Sequence, residues 1–264
     1  MRSFAAAAAM AAITLSVGAC AGTVAAPVAR EATRPAVTVT RDGETWTAEY
    51  DLGRDAPVWA FFRSALIMET RRPWRLEQWR VVTPGVALER VGAYDILRAT
   101  DGGPVPRRVT VAFTPMAENL EADYGSLTFT DGSVALPSGQ FDVFPLTSVG
   151  AAATAPDDLN GYPLEGGPAE VNWRDRSGPV LFRGERVPEA TAIEADTYVL
   201  FGSADVVEGP RLTTVTDPEL PGWIGAEIEA FAPRVADHYL RRLGPGQTER
   251  PTIMVAWAGP PSSG

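Results

Sequence analysis

From Ala36 onward, apolar and polar residues alternate with a period of two. The run AVTVTRDGETWTAEYDL does so on both sides of Asp42-Gly43, and Asp-Gly between two alternating runs predicts a hairpin. Further short runs predict strands at 57–64, 75–82, 86–91, 93–100, 107–115, 124–131 and 140–147, with turns at DGGP (101–104) and TDGS (130–133). The alternation aims Trp46, Ala48 and Tyr50 inward on one strand and Val109, Val111 and Phe113 on another. Residues 149–167, VGAAATAPDDLNGYPLEGG, lose the pattern and read as a loop, with a sub-boundary over 149–168. Strands resume at 169–175, 178–184, 195–202 and 210–217. So many short strands without long helical runs predict a mostly β fold, an antiparallel β-sandwich or saddle, over 36–217.

The period changes after Asp217. Ile224, Ile228, Phe231, Val235 and Tyr239 recur at spacings of four, three, four and four, one face of a helix. Asp217-Pro218 or Pro221 opens it, and Gly244-Pro245 closes it. Arg241 and Arg242 sit in its last turn, where they complement the helix dipole. Pro233 lies inside the run and predicts a kink or a local gap in the hydrogen bonding. PTIMVAWAG (251–259) then predicts one buried strand. Residues 218–264 therefore read as a C-terminal helix and strand, the start of an α/β or α+β unit.

The first residues follow a different rule. Arg2 precedes an apolar run, Phe4 to Val17, that has the length of a signal h-region and is too short to span a bilayer. Val17, Gly18 and Ala19 then lead directly into Cys20, the only cysteine of the chain. This pattern resembles the bacterial lipobox. The resemblance implies cleavage of residues 1–19 between Ala19 and Cys20, and attachment of lipid to the Cys20 thiol. One acyl chain anchors marginally, whereas several hold firmly. An ordinary signal peptide, cut at an A-x-A-like site after Ala19 or Ala21, is the alternative. Residues 20–35, small and punctuated by proline, read as the lipidated cysteine and a flexible tether. The partner implied is membrane lipid through Cys20; the location implied is the cell envelope, with Ala21 pointing to the outer membrane.

Composition removes several classes of function. The chain carries 23 basic against 33 acidic residues, a net charge of −10. Such a surface repels phosphate backbones, so nucleic acid is excluded as a partner. Every basic residue is an arginine, which leaves no Walker A lysine, no Schiff-base lysine and no S-x-x-K pair.

Candidate chemistry is sparse. His238, the only histidine, flanks the helical stripe, and the adjacent Asp237 does not share its face. G-x-S-x-G does not occur. The acidic stretch Asp157-Asp158-Leu159-Asn160-Gly161 fails as an EF-hand, because position 1 is Pro156 and position 12 is Gly167. No carboxylate pair stands out for glycoside chemistry. Trp59, Phe61, Phe62, Trp74 and Trp79 interleave with Arg63, Arg71, Arg72, Arg75 and Arg80. That segment reads either as a stacking face for carbohydrate or peptide, or as core with arginine stems laid over aromatic edges. No residue is assigned as catalytic or as a metal ligand.

The order of elements, a β-rich domain leading into a helix that ends YLRRLG and then the strand PTIMVAWAG, resembles the N-terminal part of gluzincin zinc metallopeptidases of the aminopeptidase type. In that family a saddle-shaped β-domain precedes a thermolysin-like domain, which opens with a helix, a linker and a strand. The resemblance implies a β-domain that orients or restricts peptide or protein substrates. The family's H-E-x-x-H motif follows later than these elements and does not occur in these 264 residues. The implication is a non-catalytic front portion or a degenerate relative, inactive alone, with no cofactor of its own and zinc only in a further domain. The other reading is a complete β-sandwich lipoprotein for binding or assembly. It takes Val58–Arg80 as its contact face and expects the last strand to be paired on both sides, with Val255 and Trp257 buried.

Overall fold

The computed structural model describes residues 34–121, 123–160, 162, 165, 168–193, 197–244 and 251–259; Ala19 and Cys20 lie outside them. The fold is mostly β. In chain order the strands begin with β1 (Ala36–Asp42), β2 (Thr45–Asp51) and β3 (Val58–Phe61), followed by the short helix α1 (Trp74–Gln78). Then come β4 (Trp79–Val81), β5 (Val86–Val91), β6 (Tyr94–Ala99), β7 (Arg108–Phe113), β8 (Leu127–Thr128), β9 (Val134–Pro137) and β10 (Val143–Leu146). The helix α2 (Val149–Thr154) precedes β11 (Glu170–Asp175), β12 (Val180–Phe182), β13 (Glu185–Val187), β14 (Glu189–Ala192) and β15 (Tyr198–Phe201). The last elements are β16 (Val206–Glu208), β17 (Thr213–Thr216), the long helix α3 (Gly222–Leu243) and β18 (Thr252–Val255).

These strands form four sheets. The largest runs β14-β11-β1-β2-β7-β4; the others run β10-β3-β6-β5, β13-β12-β15-β9-β8 and β16-β17-β18. One face of the six-stranded sheet, with Val39, Ala48, Val111 and Trp173, packs on Phe61 and Leu97 of the second sheet and on Val199 and Phe201 of the third. Aromatic rings join the layers. Trp79 lies against Phe61 of the second sheet at 5.5 Å, Trp173 against Phe141 at 5.4 Å and Trp46 against Phe201 of the third sheet at 4.7 Å. Trp46, Ala48, Tyr50, Val109, Val111 and Phe113 are all buried, as the alternation requires. The far face of the second sheet is covered by α2, through Ala152 against Tyr94, Ile96 and Phe144. The far face of the third, with Leu181 and Leu200, carries Val215 of β17 and Met254 of β18.

Several elements depart from the sequence pattern for identifiable reasons. The expected strand 75–82 opens as α1, because Pro73 at φ −62° sets the first turn and Trp74, Arg75 and Gln78 all bury side chains. The expected loop after Thr147 holds α2, an alanine-rich turn whose Ser148 side chain accepts a hydrogen bond from the Ala151 amide at 3.0 Å. The expected strand 178–184 is a hairpin, β12–β13, turned at Arg183-Gly184 with both residues at positive φ. Pairing is also not wholly antiparallel. β1 runs parallel to β11, and β17 runs parallel to β18. α3 continues through Pro233 as a single helix.

The aromatic–arginine segment is core. Trp59, Phe61, Trp74 and Trp79 are buried, and Arg75 is 0% exposed. The Arg75 guanidinium lies 4.0 Å from the Phe61 ring centre and 4.5 and 4.9 Å from Trp74 and Trp79. It donates to Asp95 Oδ2 at 2.9 Å, to the Gln140 carbonyl at 2.8 Å and to the Arg63 carbonyl at 2.7 Å. Asp95 also accepts from Arg90 Nη1 at 3.1 Å. Burial lowers the Arg75 pKa, and the Asp95 carboxylate opposes that shift. The contact face proposed over Val58–Arg80 is therefore corrected: its aromatic rings point inward.

Candidate functional site

Trp223 and Phe231, the two most exposed large apolar side chains among the described residues, both lie on α3. β17, α3 and β18 form a β-α-β crossover, in which two parallel strands are joined by a helix lying on the sheet. Val215 and Met254 turn to the β-domain. Alternation then turns Thr214, Ile253 and Val255 to α3.

Parallel strands are normally covered on both faces and paired on both edges. Here β18 has one neighbour among the described residues, β17. All four residues of β18, Val255 among them, are half-buried, as is Trp257, so a doubly paired, buried C-terminal strand is not found among the described residues. The ladder shows which amides face outward. Thr213 donates to the Pro251 carbonyl at 3.0 Å and Asp217 to the Val255 carbonyl at 2.8 Å. That phase commits the Ile253 and Val255 amides to β17 and leaves those of Thr252 and Met254 on the outer edge.

α3 is equally uncovered. None of its described side chains is buried. Ile224, Ile228 and Val235 of the expected stripe are half-buried against the sheet, whereas Phe231 is 60% and Tyr239 56% exposed. Trp223, which lies outside that stripe, is 71% exposed. Trp223, Ile224, Glu227, Ile228, Phe231 and Ala232 enclose, with Ile253 of β18, an apolar groove of about 400 Å³. The strand that lines the groove is β18, so groove and open edge lie on the same side of the unit. The opposite flank of α3 is tied down by Asp237, which pairs with Arg211 at 2.8 Å.

Asp217 anchors this unit to the β-domain. It is 3% exposed. Its carboxylate accepts from the Thr130 amide at 2.9 Å, from the Thr130 hydroxyl, from the Glu219 amide at 3.0 Å and from the Trp257 amide at 3.2 Å. One side chain thus joins the turn at 130, the entry to α3 and the end of β18. Burial pushes its pKa up, but these hydrogen bonds outweigh burial and hold it below the ordinary carboxylate value.

The remaining candidates carry no constellation. His238 is exposed on α3 with its ring 5.9 Å from that of Tyr239. Asp157 and Asp158 are exposed, and Asp158 is occupied by the Asn160 amide at 2.8 Å. No cluster of metal-ligating side chains occurs among the described residues. A second cleft, of about 310 Å³, is lined by Arg54, Asp55, Pro145, Leu146, Tyr162 and Glu165. Both of its carboxylates are ion-paired, Glu165 with Arg54 and Asp55 with Arg107 at 2.9 Å. The Arg107 hydrogen bond holds Asp55 below its ordinary pKa, the reverse of what a general acid needs.

No family model matches this chain, and no curated protein matches it. Among solved structures it overlaps yeast LTA4 hydrolase in complex with bestatin, a gluzincin aminopeptidase, with a TM-score of 0.34 and 11% identity. The overlap covers 84% of this chain, which spans 36% of the length of that one. A likeness this loose does not define a family or an activity.

Proposed function

We propose that this is a lipid-anchored protein of the cell envelope, the non-catalytic N-terminal portion of a metallopeptidase-like architecture. Its β-α-β unit is a seat for further polypeptide, and it is inactive alone. The observation that carries the reading is the parallel pair β17–β18, in which β18 has one neighbour among the described residues, beside an apolar groove of α3. A finished α/β unit hides both. The absence of H-E-x-x-H from the sequence supports inactivity, and the tract from Phe4 to Cys20 supports the anchor. The alternative, a complete binding or assembly lipoprotein, is weakened by the half-exposed Val255 and Trp257 and by the inward rings of 58–80.

The test is intact-mass and peptide mass spectrometry of the protein extracted from native host membranes. The reading expects a polypeptide beginning at Cys20 that carries acyl mass, and no peptide hydrolysis by the purified chain. An unmodified N-terminus elsewhere, recovered from the medium, overturns the anchor. Hydrolysis of peptides by the purified chain overturns the inactivity.

A further inference from the structure

The outer edge of β18 and the groove of α3 call for the same kind of occupant. Along that edge the Thr252 and Met254 amides and carbonyls point away from β17, and β18 has one neighbour among the described residues. The strand carries no charge and no proline that would keep another strand off. Backbone groups in such a row are satisfied by another extended backbone. A helix face or an acyl chain offers them neither donors nor acceptors.

The two faces of β18 decide which side chains that backbone carries. Residues directly opposite each other in neighbouring strands point to the same face of the sheet. Those beside Ile253 and Val255 therefore face α3. There Ile253 borders the apolar groove of about 400 Å³, with Trp223, Ile224, Ile228 and Phe231 on its other wall. Apolar side chains fit that space. Glu227 is the only charged residue lining the groove among those described, and the whole chain carries a net charge of −10. A cation among the side chains that face α3 meets this carboxylate, whereas an acidic segment is repelled. The residue beside Thr252 faces the β-domain instead. The Thr252 hydroxyl is buried there, close to Gly184, and has no hydrogen-bond partner among the described residues. A hydroxyl or amide side chain opposite it supplies one, as threonine pairs do across strands.

We propose that β18 takes an extended segment of a separate polypeptide as an added strand, one that turns apolar side chains and a cation to α3 and a hydrogen-bonding side chain to Thr252. This rests on the reading of the β-α-β unit as a seat, and names the recognition chemistry of what the seat receives. Pro260 and Pro261, just beyond β18, have no amide proton and do not supply that strand.

The test uses the full chain with Cys20→Ser and a blocked peptide of about eight residues, within the usual length of a strand. The peptide alternates threonine and valine, with arginine in place of one valine. Isothermal titration is expected to show binding at micromolar concentration, with slowed hydrogen exchange at Thr252 and Met254. An added strand turns every second amide to its neighbour. N-methylation of one alternate set of peptide amides therefore abolishes binding, and of the other set leaves it. Glu227→Arg weakens binding at least tenfold, and exchanging the peptide's arginine for glutamate restores it, which excludes loss of fold. Binding that ignores Glu227→Arg, or responds alike to both N-methylated sets, overturns the proposal. So does a lack of binding by a chain whose two amides exchange freely, although that result leaves the seat standing. Slow exchange of both amides before peptide is added overturns the proposal and the seat together.

Discussion

At the scale of single residues, two buried charges hold unlike parts of the chain together. Arg75 is wholly enclosed, and its charge is balanced by Asp95 at 2.9 Å. Removing one member of a buried pair strands the other, at a cost of about 3–5 kcal/mol, while replacing both with apolar groups is often neutral. Asp95→Ala is therefore expected to shift the urea unfolding midpoint far down, and Arg75→Met with Asp95→Leu to recover most of the loss. Asp217 gives a pH signature. Its native pKa lies below the ordinary value of 3.8, so its stabilisation is complete above that value and fades as pH falls through the native one. Asp217→Asn should lose about 1–3 kcal/mol at neutral pH, measured by chemical denaturation. The gap between variant and parent should close as the pH drops below 3.8. A gap that widens in acid would mean that the carboxylate is not held in its charged form.

At the scale of elements, the legible parts were those whose periodicity and burial agree. β1, β2 and β7 alternate cleanly because one face meets the core and the other meets solvent. α3 was readable from its stripe, and β18 from its apolar run. The misread elements are those in which local chemistry overrode the period. In α1 a buried arginine and two buried neighbours crowd one short turn. In α2 the signal was alanine content and a serine cap rather than a stripe. β9, β13, β14 and β16 have only three or four residues each, too few to establish a period. The candidate site was half visible. The stripe on α3 located the apolar face, but exposure cannot be read from spacing. Phe231 and Tyr239 look like core in the sequence because aromatic residues at helical spacing usually are core, yet both are exposed. That β18 has one neighbour among the described residues depends on which strands meet in space, and pairing partners are not encoded in a single run.

At the scale of the whole molecule, stability should be divided unevenly. The β-domain buries its aromatic rings between sheets, whereas the β-α-β unit rests on it through one face of β17 and β18 and through Asp217. Segments with few buried contacts open at lower free energy than the core. Peripheral placement suits a surface that receives another polypeptide, because the receiving edge stays accessible without disturbing the domain that carries it. The most direct measurement is residue-resolved amide hydrogen exchange on the full chain carrying Cys20→Ser. The account predicts slow exchange throughout β1, β2, β7 and β17, slow exchange at Ile253 and Val255, and fast exchange at Thr252 and Met254. Uniformly slow exchange across all four residues of β18 would contradict it, because the edge would then already be filled.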